Sequence, residues 1–62
     1  MKTLKQIRES KFLTQKELAE IAEMSFITIN RIETGKQKPT FKSIKKIAQA
    51  LKIEPSEINF LK

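Results

Sequence analysis

Apolar positions along the chain recur at spacings of three and four and never of two, which is the period of helices and not of strands. They fall into five groups: Leu4 with Ile7; Leu18 with Ile21 and Ala22; Ile29 with Ile32; Phe41 with Ile44, Ile47, Ala48 and Leu51; and Ile58 with Leu61. The first four follow a hydroxyl residue, Thr3, Thr14, Ser25 and Thr40 respectively. Such a side chain accepts hydrogen bonds from the orphan N–H groups of a first helical turn. Gln6 and Glu17 stand three residues after Thr3 and Thr14, where a reciprocal capping bond is made. Pro39 stops any upstream helix before Thr40, and Pro55 suits the first position of a fifth helix. The pattern therefore predicts an all-α fold of five short helices. Helix two over Gln15–Ala22 and helix three over Phe26–Glu33 are separated only by Glu23-Met24-Ser25, the spacing of a helix-turn-helix. Leu18, Ala19, Ile29, Ile32, Ile44, Ile47 and Leu51 are expected to form the core.

Composition narrows the function. With 62 residues the chain is expected to be a single domain, residues 1–62, with a modest core. Cys, His and Asp are all absent, which removes disulfides, the usual zinc ligands and nucleophile–histidine pairs. The single glycine, Gly35, cannot build a phosphate-cradling loop. No enzyme, cofactor or metal is expected from this set. No apolar run approaches the ~20 residues of a membrane span, and no signal peptide is visible, so a cytoplasmic location is expected.

Charge points toward a polyanion. Thirteen Lys and Arg against seven Glu leave a net charge of +6. No acid occurs between Thr34 and Ile53, whereas Lys36, Lys38, Lys42, Lys45, Lys46 and Lys52 all do. The cations thus gather just after the third helix, and phosphate is the usual partner of such a cluster.

The run Leu13-Thr14-Gln15-Lys16-Glu17-Leu18-Ala19, followed by Ser25, Ile29, Arg31-Ile32-Glu33, Gly35-Lys36 and Pro39, resembles the Cro and lambda-repressor-like (XRE-type) helix-turn-helix domains. The resemblance extends from about Leu4 to Leu61. It implies a compact five-helix DNA-binding domain in which helix three enters the major groove. It also implies an internal salt bridge between Arg8 and Glu33, and a Gln15 that binds a DNA phosphate and braces the recognition helix. Positions that touch bases in the family correspond to Phe26, Ile27, Asn30 and Arg31, with Ser25 and Thr28 close by. Phe12, Glu23 and Lys52 stand where the family commonly has glycine, so either those turns use other conformations or they carry strain.

The residue chemistry suits that assignment. Ile29 and Ile32 point inward, which places Ile27, Asn30 and Arg31 on the opposite side of the helix. Phe26 and Ile27 are apolar enough to meet thymine methyls, although Phe26 can equally turn toward the core or a partner. Asn30 can read adenine and Arg31 guanine through paired hydrogen bonds. Lys36 and Lys38 are expected to contact phosphate, with Lys42 beside them, while Lys45, Lys46 and Lys52 serve solubility.

The expected function is sequence-specific binding of double-stranded DNA as a transcriptional regulator, a repressor acting as a homodimer on a palindromic operator. Ile58, Phe60 and Leu61 are the expected dimer contacts, because Phe60 points away from the face shared by the other two. No small-molecule effector is expected. The competing reading is an antitoxin or bridging module in which Phe26, Ile27, Phe60 and Leu61 dock a protein. A membrane-surface role for helix four is disfavoured, because the core needs its apolar face.

Overall fold

The structure, a computed structural model, describes residues 2–59. It contains α1 (Leu4–Ser10), α2 (Gln15–Ala22), α3 (Phe26–Glu33) and α4 (Phe41–Leu51). Each begins where a hydroxyl side chain can take up free N–H groups. Thr3 Oγ1 accepts from the Gln6 amide at 3.2 Å while Gln6 Oε1 accepts from the Thr3 amide at 3.0 Å. Thr14 and Glu17 repeat the exchange at 3.0 and 2.8 Å. Ser25 Oγ accepts from Ile27 and Thr28, and Thr40 Oγ1 from Ser43.

Leu18, Ile29, Ile47 and Leu51 are fully buried and form the centre of the core, joined by Leu4, Ile7, Ala19, Ala22, Ile32 and Ile58. One expectation for α4 needs correcting. Ile44 is only half-buried and lies outside the core cluster. Phe41, at the start of the same apolar row, is 92% exposed. No helix among the described residues is long and apolar enough to cross a membrane.

The fifth helix is not formed. Pro55–Glu57 makes a single 3₁₀ turn, and Ile58 then adopts extended backbone at φ −105°, ψ 132°. Ile58–Asn59 (β2) pairs in parallel with Lys2–Thr3 (β1), in the register Lys2↔Ile58 and Thr3↔Asn59. The chain is therefore mostly helical, as expected, with four helices in place of five and one small strand pair. After that single turn the backbone groups of Ile58–Asn59 find their partners across the strand pair instead of in a helix. The pairing also corrects the reading of Ile58 as a dimer contact: it is 4% exposed and packed in the core of its own chain. Phe60 and Leu61, the other expected dimer contacts, lie outside the described residues.

All four helices end in the same way. A residue in the left-handed region is followed by one whose N–H reaches back five residues: Leu13 to the Arg8 carbonyl, Met24 to Ala19, Lys36 to Arg31 and Ile53 to Ala48, at 2.8–3.2 Å. The left-handed residues are Phe12, Glu23, Gly35 and Lys52, at φ 59°, 57°, 79° and 58°. Phe12, Glu23 and Lys52 thus keep the conformation that glycine favours and bear its cost, roughly 1 kcal/mol each. Leu13, Met24 and Ile53, the residues that follow them, pack on the core.

Candidate nucleic-acid interface

The interface is built on α2 and α3. Ile29 and Ile32 are buried and fix the rotation of α3, so its other side faces solvent. Phe26 and Ile27 are 50% and 57% exposed, and Arg31 is exposed. Phe26 therefore does not turn into the core. Thr28 and Asn30 are half-buried at the flanks. Ser25 lies exposed at the tip of the helix, with its hydroxyl oxygen already holding two amides. Lys36, Lys38 and Lys42 are exposed, and among the described residues none of them is in an ion pair.

Behind this face lies a connected set of polar side chains. Arg8, 7% exposed, donates from Nε to Glu33 Oε2 at 2.6 Å and from Nη2 to Glu33 Oε1 at 3.1 Å. Its Nη1 reaches the Leu13 carbonyl at 2.6 Å. One guanidinium thereby ties α1 to the end of α3 and to the turn before α2. The hydrogen bond to Glu33 raises the arginine's pKa above its ordinary value, against the opposing effect of burial, so the group stays charged. Among the described residues no buried side-chain polar atom lacks a partner.

The resemblance implied a Gln15 that braces the recognition helix, and the structure shows it bonded to two side chains of α3, Glu33 and Asn30. Gln15 Nε2 donates to Glu33 Oε1 at 2.9 Å, and Gln15 Oε1 accepts from Asn30 Nδ2 at 3.3 Å. The Leu13 carbonyl was not anticipated, and a backbone acceptor leaves no mark in a sequence.

A capped helix-turn-helix whose second helix is pinned from behind and open in front is the geometry of a groove-reading element. A family model described as helix-turn-helix matches residues 4–58. The chain belongs to the Cro and lambda-repressor-like helix-turn-helix family. Membership in this family implies a DNA-binding regulator. No curated protein and no solved structure matches the chain. For this helix-turn-helix domain, α3 is accordingly the element to test against duplex DNA.

Proposed function

We propose that this domain is a sequence-specific regulator of transcription that lays α3 in the major groove of an operator, and that it acts as a repressor. The observation that carries the reading is the exposed side of α3. Ile27 and Arg31 stand there opposite the buried Ile29 and Ile32, with Phe26 exposed at its edge. Arg31 suits the paired acceptors of guanine, and Phe26 and Ile27 suit thymine methyls. Gln15 at the start of α2, with Lys36 and Lys38 after α3, would hold the flanking phosphates.

The length of α3 supports a homodimer on a palindromic site. Eight residues of helix span about 12 Å, which covers about four base pairs at ~3.4 Å each. So short a half-site recurs too often to single out an operator. Two copies with their α3 helices about 34 Å apart would double it.

Selection of bound sequences from random duplex DNA tests the reading. The expected result is a palindrome with half-sites one helical turn apart and two chains per duplex. Arg31→Ala should weaken binding by about 1–3 kcal/mol and flatten one base position in each half. Loss of affinity for all sequences equally would make Arg31 a phosphate contact. If no sequence is enriched and binding to a partner protein ignores salt, the domain is a protein-docking module instead.

A further inference from the structure

We propose that Glu33, which need not touch DNA, decides which base the domain accepts beneath Asn30, by fixing the orientation of two side-chain amides in series. The proposal rests on the reading of α3 as the DNA-reading helix. A carboxylate only accepts hydrogen bonds, so the end of Gln15 facing Glu33 Oε1 at 2.9 Å has to be its NH₂. The Gln15 oxygen is thereby turned toward Asn30, and an amide oxygen also only accepts. The end of Asn30 facing it at 3.3 Å has to be NH₂ in turn. The remaining end of Asn30, Oδ1, is neither buried nor hydrogen-bonded among the described residues.

Ordinarily an asparagine is free to present either end to a base, which makes it adaptable. Here the outward end is an acceptor, and reversing it would require Gln15 to turn its oxygen onto a carboxylate. The base edge it suits carries an exocyclic amine, the N6 of adenine or the N4 of cytosine. Guanine and thymine present O6 and O4 at the corresponding places, oxygen against oxygen. Asn30 is then the reading residue, and Gln15 and Glu33 are positioning residues behind it.

Arg8 makes the relay reversible by one substitution. In Glu33→Gln a single oxygen remains. At the Oε2 position it keeps the 2.6 Å bond from Arg8 Nε, the shortest of the three that Glu33 accepts, and gives up those from Arg8 Nη2 at 3.1 Å and Gln15 at 2.9 Å. In that orientation the new NH₂ faces Gln15, which turns over, and Asn30 turns over after it. The outward group becomes a donor.

The test is selection from random duplex DNA with the wild-type domain, Asn30→Ala, Glu33→Gln and Gln15→Met. Asn30→Ala locates the base pair concerned, as the position that loses its preference. At that position the wild type should enrich adenine or cytosine on the contacted strand. Glu33→Gln should move the preference to guanine or thymine by about tenfold, the value of one exchanged hydrogen bond. Gln15→Met, which keeps the bulk and removes both bonds, should leave the position without preference. Other positions should be unchanged in every variant. A Glu33→Gln domain that loses affinity for all sequences alike, with its preferences intact, overturns the proposal. If that variant does not fold, retained preference in Gln15→Met overturns it as well. The side-chain NH₂ signals of Gln15 and Asn30 in the free domain separate the remaining cases. Signals like those of freely rotating surface amides mean that the relay is absent. Well-dispersed, slowly exchanging signals in a domain that enriches no sequence mean that the relay exists and DNA reading fails, and the proposal falls with it.

Discussion

The turns that close α1 and α3 have the same backbone and opposite purposes. After α1, Phe12 takes the left-handed conformation at φ 59° and Leu13 folds down onto the core. After α3, Gly35 takes it at φ 79° and the next residue, Lys36, stays in solvent. The ends of α2 and α4 follow the first pattern, with Glu23-Met24 and Lys52-Ile53. Three helix ends thus close with an apolar clasp despite a strained residue. The end next to the reading face has the unstrained residue and a cation in place of the clasp. The turn is one device, and the side chain after it decides whether it adds to the core or presents charge.

Both turns depend on Arg8, which bonds the Leu13 carbonyl on one side and Glu33 on the other. Arg8→Ala should therefore have the largest effect. It leaves a Glu33 carboxylate that is 2% exposed without its partner, at a cost of about 3–5 kcal/mol in a denaturant melt. A loss below 1 kcal/mol would mean that water enters and solvates Glu33.

Next comes Leu13, one of the two residues that distinguish the turns. Leu13→Lys should destabilise by about 1–2 kcal/mol, since the lysine stem replaces only part of the apolar contact. Equal stability in this variant would remove the clasp from the account.

The left-handed residues themselves come third. Glu23→Gly and Lys52→Gly should each stabilise by about 0.5–1 kcal/mol, the relief of strain less the extra freedom of the unfolded chain. Gly35→Ala should destabilise by about 1 kcal/mol although its new methyl would meet no atom within 4 Å, because only the backbone objects. The same sign at all three sites would show that they are not equivalent turns.

Lys36→Leu should have the smallest effect on stability, within about 0.5 kcal/mol, while lowering the slope of DNA affinity against salt by about one. An unchanged slope would make Lys36 an ordinary surface lysine.

What could be read from the chain, and what could not, follows from the range of each signal. The four helix starts were legible because the cap is a local code, a hydroxyl before the first turn, joined at Thr3 and Thr14 by an acceptor three residues on. The outward face of α3 was legible too, because Ile29 and Ile32 leave no other rotation. The strand pair was not, since two residues show no period and Lys2 and Ile58 lie at opposite ends of the described chain. That hidden pairing is why Pro55 suggested a helix where one turn and a strand occur. Ile44 misled because periodicity tells which side of a helix is apolar and not how much of that side a small core covers. Asn30 was expected on the side of α3 opposite Ile29 and lies half-buried at its flank, since its bond to Gln15 depends on how closely α2 approaches, which no spacing in the sequence encodes.

The pairing of Lys2–Thr3 with Ile58–Asn59 also determines how the domain bears a load. The strands are parallel, so tension applied at residues 2 and 59 draws them along one another in opposite directions. Their hydrogen bonds are then strained together rather than opened one by one. Helices pulled from their ends unwind a turn at a time, but here they are shielded until the strand clamp slips. A domain built mostly of helices thereby acquires the mechanical behaviour of a sheet, from four residues.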